Sequence, residues 1–242
     1  MIIVSPLPIL SITAGAENLL TPSPKEVWAP AAASPVVLDI DFGSAVEFDT
    51  IFLGYTNATV GSQIAVVADP AGANVEIFAQ QVVRAADAIT SRPHLLVQLP
   101  ASVTRRYVRV LVYQGGGQAF VAGIMLVGLR FQAGHERGAG RQIIDTGSKE
   151  RLPDGGIAGE DGVLLTSLRW RFIGLSDAMR RRLWNLAWGR GERRPVLVVE
   201  EPDSELLGAN ERIHYGTFDR FDSYERQNPD DTAWGLSMTE WV

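Results

Sequence analysis

Residues 36–59 read VVLDIDFGSAVEFDTIFLGYTNAT, and their pattern decides the fold class. Leu38, Ile40 and Phe42 alternate with Asp39 and Asp41, putting the apolar set on one face and the carboxylates on the other. A period of two marks a half-buried β-strand, because successive side chains leave the backbone on opposite sides. Gly43 and Ser44 interrupt the run, and residues 48–55 resume it as a second strand. Working outward, residues 63–68 and 75–79 are further short strands between glycine, asparagine and proline turns. Leu95, Val97 and Leu99 share a face before Pro100, and Val108, Val110 and Val112 point inward over residues 107–113. Residues 121–131 are apolar on both faces, as a central sandwich strand is. Short strands at short spacing without a helical period predict a β-sandwich over residues 1–132. The proline- and alanine-rich residues 15–35 are expected to wrap it as irregular chain.

The chemistry changes past residue 130. Residues 1–130 carry nine acidic and seven basic groups; residues 131–242 carry nineteen and fifteen, with five of the six tryptophans. The shift predicts a second domain over 133–242, joined through the glycine- and charge-rich QAGHERGAGR at 132–141. Residues 142–146 and 163–172 read as strands joined by a long glycine-rich loop at 152–162. A helix is expected over 177–188. Ser176 is a suitable N-cap, Asp177 suits the first turn, and Gly189 is the expected stop. Met179, Leu183, Leu186 and Ala187 make one helical face. Strands at 195–200, 213–219 and 233–241 complete a mostly β domain with one flanking α-helix.

Composition narrows the function. The chain has 242 residues, a formal charge of −6, no cysteine and three histidines. That excludes disulfides, thiolate metal sites and a cysteine nucleophile, and leaves little for a histidine metal centre. An acidic balance disfavours nucleic acid. No apolar run approaches the ~18 residues of a membrane span. The apolar start lacks an early basic residue and is broken by Pro6 and Pro8, so no signal peptide is expected. No Gly-x-Ser-x-Gly elbow occurs, and glycines 115–117 and 155–162 read as turns, not phosphate cradles. Asp39 and Asp41 read as a solvated strand face, His214 as a structural histidine, and the acidic 219–231 stretch as ion-paired through Arg220 and Arg226. No catalytic, metal or cofactor residue is assigned, and no enzyme is expected.

Two surfaces remain. Arg180, Arg181 and Arg182 lie on the helix opposite or beside its apolar face, extended by Arg190, Arg193 and Arg194. They read either as a solvated helix end or as a contact for an acidic neighbouring subunit. Trp184 and Trp188 are four apart on one stripe, so core burial competes with an interface role for each ring. Arg181, Arg182, Trp184 and Trp188 are the candidate interface residues, with acidic stretches 200–205 and 219–231 as possible recipients. For a glycan, Tyr55, Asn57 and Tyr113 are candidates, offering flat apolar faces and hydrogen-bonding tips at strand ends.

The first half, through Asn18-Leu19-Leu20, Trp28 and residues 36–59, resembles galactose-binding or discoidin-like jelly rolls found in phage tail proteins. The second half is similar to tail-tip proteins of long-tailed phages and gene transfer agents. The similarity lies at residues 144–148, 168–172, 175–188, 195–202, 215–216 and 234–241. Its strand–helix–strand order resembles the belt domain of distal tail proteins, with the two domains in reversed order. The resemblance implies a virion structural protein of the tail tip or baseplate, made in the host cytoplasm. It implies a homo-oligomer, with tail tube, hub and fibre proteins as partners and host glycan as a possible ligand. The alternative is a receptor-binding protein whose main task is carbohydrate recognition.

Overall fold

The strand that starts at Val36 does not stop at Gly43: in the computed structural model, Val36–Gly54 is a single strand bent near its middle. The structure describes all residues except 32–34, 60, 69–74, 82–92, 115–117, 136–139, 201–209, 229–230 and 242, and only the backbone of 75–81 and 227. In chain order the strands are β1 (Ile2–Pro6), β2 (Ser11–Ile12), β3 (Val36–Gly54), β4 (Gln63–Ala68), β5 (Val75–Gln81), β6 (Leu95–Tyr113) and β7 (Ile124–Gln132). There follow β8 (Gly140–Asp145), β9 (Ser148–Arg151), β10 (Ile157–Glu160), β11 (Leu164–Leu175), the helix α1 (Asp177–Arg190), β12 (Val196–Val199), β13 (Ile213–Phe221), β14 (Glu225–Asn228) and β15 (Asp231–Glu240). The described residues are mostly β with one α-helix, as the residue pattern predicts.

Two units divide the chain: Met1–Gln132 with Leu197–His214, and Ala133–Val196 with Tyr215–Val242. A single cut at Gln132 is the sequence expectation; here Leu197–His214 is built into the first unit.

In the first unit, β3 and β6 are each 19 residues long, well beyond the usual ~5–6 of a strand. Their pairing slips between Asp41 and Val46 and again between Phe48 and Thr50. Such irregularities let a strand turn a corner and pass from one sheet to another. Before the bend, β3 pairs with the C-terminal half of β6 and with β2. After it, β3 pairs with the N-terminal half of β6 and with β7. Beyond these, β4 and β5 extend the first sheet and β1 and β12 the second. One core joins both: Leu38, Ile40, Val66, Val108 and Val110 pack in the same cluster as Ile51, Leu53, Val97 and Val127. This is a β-sandwich. The two strands expected at 36–42 and 48–55 are one, as are those at 95–99 and 107–113, because the bends sit inside continuous ladders.

One further feature departs from the sequence reading and one lies beyond it. Asp39 and Asp41 are not a merely solvated face: Arg109, directly opposite Asp39, and Arg106 each grip one carboxylate through two hydrogen bonds. Met1, Ile2, Ile3 and Val4 are buried, β1 being flanked by β7 and β12. Gly128 of β7 makes that possible, because a Cβ there would overlap the Ser5 carbonyl oxygen of β1.

In the second unit the sheet runs β13-β15-β11-β8, with β14 also on β15. Trp170, Phe172, Phe218, Leu236 and Met238 are buried on these strands. Ser176 caps α1, its Oγ accepting from the Met179 N–H at 3.3 Å. The helix passes Gly189 and ends at Gly191, whose φ of 56° suits a residue without a Cβ. The expected loop at 152–162 is in part a hairpin, β9 against β10. Its period-two signal is masked by glycines at 155, 156, 159 and 162.

Candidate functional site

The loop end of the first unit brings the three glycan candidates into one neighbourhood. Tyr55 follows β3 with a φ of 56°, a left-handed backbone uncommon for a side chain of this size. Its N–H donates to His94 Nδ1 at 3.0 Å, which puts the proton of the neutral imidazole on Nε2. The two rings meet edge to face with centroids 5.1 Å apart. His94 is buried against Phe52, and its own N–H donates to Asn210 Oδ1 at 3.0 Å. Next along, the Thr56 N–H and hydroxyl both donate to the Pro93 carbonyl.

Asn57 is a brace. Its Nδ2 donates to the Ala119 carbonyl, its Oδ1 accepts from the Val121 N–H, both at 2.8 Å, and its carbonyl accepts from Gln114 Nε2 at 2.9 Å. Buried Ser62 bonds Gln114 in turn. The network ties the 55–62 loop to the chain after β6, whose last residue is the partly exposed Tyr113. Glycines 115–117 lie outside the described residues. What this end can do chemically is offer tyrosine faces and tips on a hydrogen-bonded frame. The bracing of Asn57 and the coupling of Tyr55 to His94 and Asn210 depend on residues far apart in sequence, so no local signal marks them.

The second surface is α1. Leu183 and Ala187 are buried, while Met179 and Leu186 are half-buried. Trp184 and Trp188 stack at 6.2 Å with their planes 19° apart. Trp184 also contacts the buried Trp234 at 5.7 Å and meets Tyr224 edge-on at 5.9 Å. Trp234 donates its indole N–H to the Asp222 carbonyl at 2.7 Å. The Arg180 guanidinium lies 5.2 Å from the Tyr224 ring centre. Trp184 thus bridges the core and Trp188, which is 81% exposed. Tyr224, absent from the sequence candidates, completes this cluster; it stands among charged residues with no period to mark it.

Asp177 binds Arg180 and Arg181, both at 2.7 Å, and hydrogen bonding from Arg180 holds its carboxyl below the usual carboxylate range. Arg181 and Arg182 are exposed. Of the acidic stretches, Arg220 pairs with Asp222 and Glu225 with Arg171, while Glu201, Asp203 and Glu205 lie outside the described residues. His214 is buried, its Nε2 2.8 Å from Glu200 Oε1. Among the described residues no group of three or more histidine, aspartate or glutamate side chains is arranged to hold a metal ion, and no helix is long and apolar enough to cross a membrane.

No protein-family model matches the chain, and no curated protein sequence matches it. Among solved structures it is similar to chitosan-binding module 1 of the chitosanase/glucanase from Paenibacillus sp. IK-5. That match has a TM-score of 0.38 and 17% identity, covering 48% of this chain and 91% of that one. Module 2 of the same enzyme, in complex with chitotriose, has a TM-score of 0.37 and 18% identity, covering 50% and 92%. The chain is also similar to the CBM32 of AlyQ in complex with 4,5-unsaturated mannuronic acid, with a TM-score of 0.39 and 18% identity, covering 51% and 97%.

Proposed function

We propose that the chain is a non-catalytic structural component of a phage tail tip or baseplate. It assembles with copies of itself and with other tail proteins, and its first unit is free to contact host-surface glycan. The observation that carries the assembly part is the Trp184–Trp188 stack beside exposed arginines. Water-exposed indole is costly, and aromatic–arginine surfaces are typical of the centres of protein interfaces. The tail assignment is supported by the sequence resemblance at 144–148, 168–172 and 234–241. Immunogold labelling of purified virions against this chain tests it. Label at the tail end is the expected result; virions without the chain overturn the reading.

A second reading, a glycan-recognition protein of the virion, is favoured by the braced loop end with Tyr55 and Tyr113. It expects free protein to bind host polysaccharide on a glycan array, and binding to fall ~10-fold or more in Tyr55→Ala and Tyr113→Ala, each removing a stacking face. Binding that survives both changes rules out this placement.

A further inference from the structure

Residues 140–163 of the second unit carry a surface with no role in the account above. Strands β8 and β11 pair, and β9 pairs with β10. Between the pairs, the Thr146 N–H donates to the Val163 carbonyl and the Val163 N–H to Thr146 Oγ1. Gly147 and Gly162 cross so closely there that a Cβ on Gly162 would overlap the backbone of Gly147. The result is one continuous ribbon, two-stranded until β15 joins β11 at Ser167. Every residue of β9 and β10 is exposed, and so is β8 apart from Ile144. Its exposed residues include Ile143 at 75%, Leu164 at 64% and Ile157 at 61%. Ile143 and Leu164 share a face, since they stand opposite Thr166 and Asp145 respectively. The β9–β10 part, two-stranded with neither face covered, is marginal in water by itself, and among the described residues β8 has no partner strand on its other edge, which invites pairing.

We infer that this ribbon is covered by a second copy of the chain, docking against the α1 surface of its neighbour; the inference deepens the assembly reading above. Charge supports this choice. Residues 140–163 hold five carboxylates against three cations, and Glu150, Glu160 and Asp161 have no ion-pair partner among the described residues. Residues 177–194 hold six arginines against two carboxylates. Arg193 is exposed and unpaired among the described residues, and Arg181 has only its exposed pair with Asp177. Such a surface pair contributes little, so Arg181 stays available. The exposed isoleucines and Leu164 match the Trp184–Trp188 face in apolar character. Both patches occur on each copy, so mutual docking covers both, whereas an unrelated partner on either one leaves the other bare. One patch meeting a different patch is a head-to-tail contact, which closes as a ring or continues as a filament.

The test is sedimentation velocity on the full chain over a concentration series. The parent should self-associate, less so at high salt, because charged contacts are screened. Glu150→Arg with Glu160→Arg, and separately Arg181→Glu with Arg193→Glu, should each weaken association ~10-fold or more. Combining all four substitutions should restore it, because the charges are exchanged and not removed. Circular dichroism checks the fold, and Glu150→Gln with Glu160→Gln replaces the ribbon reversal should that fail to fold. A parent that stays monomeric, or a ribbon variant of parental association, overturns the inference. So does a four-fold variant that folds but does not recover. Virion labelling reads the tail assignment independently of all three.

Discussion

His94 and Asn210 stand 116 positions apart in sequence and one hydrogen bond apart in space, His94 N–H to Asn210 Oδ1 at 3.0 Å. The bond ties Asn210 to the start of β6, beside Tyr55. Asn210 is buried, so losing its acceptor leaves the His94 amide without this partner. Asn210→Ala should therefore lower stability by ~1–3 kcal/mol in urea denaturation. A change within error would show that this bond adds nothing net to stability.

Gly128 and Gly134 separate packing from mere composition. A Cβ at Gly128 runs into the Ser5 backbone, while at Gly134 it meets nothing within 4 Å. Gly128→Ala should cost ~1–3 kcal/mol, the usual penalty of overpacking. Gly134→Ala should stay within ~0.5 kcal/mol of the parent. Thermal melts of the two variants give the comparison, and equal melting temperatures would contradict the β1–β7 approach described here.

Asp177 should make α1 acid-sensitive. Its folded pKa lies below the ordinary 3.8, mainly through hydrogen bonding from Arg180. A depressed carboxylate pKa stabilises the folded state in full above the unfolded value, and the stabilisation is lost as pH falls through the folded value. Parent and Asp177→Asn should thus differ in melting temperature at pH 7 and converge below pH 3.8. A gap that persists unchanged in acid would assign the effect to helix capping geometry instead.

Proteolysis should find the ribbon first. Its tip is a tight turn, with the Leu152 N–H donating to Gly156 and the Gly155 N–H to Leu152, and exposed tips are preferred sites of nicking. In dilute protein, brief trypsin treatment should cut after Lys149 or Arg151, read by mass spectrometry. First cleavage at Arg109, inside β6, would contradict the arrangement.

Much of this fold is legible locally. The alternation of Leu38, Ile40 and Phe42 assigns their buried face, because a strand side chain can point only one way or the other. Ser176, Asp177 and the 179–187 periodicity likewise mark α1, since capping and helical spacing act within a few residues. Tertiary structure alone decided the rest. Whether residues 36–54 form two strands or one bent strand depends on β6, which pairs with β3 on both sides of the slip between Asp41 and Val46. Whether β12 and Asn210 pack with their sequence neighbours or with β1 and His94 depends on partners more than 100 positions away. The exposure of Trp188 beside a core-contacting Trp184 depends on where Trp234 and Tyr224 come to lie. Such pairings reward contacts between distant segments, and they leave no period or composition shift in either segment alone.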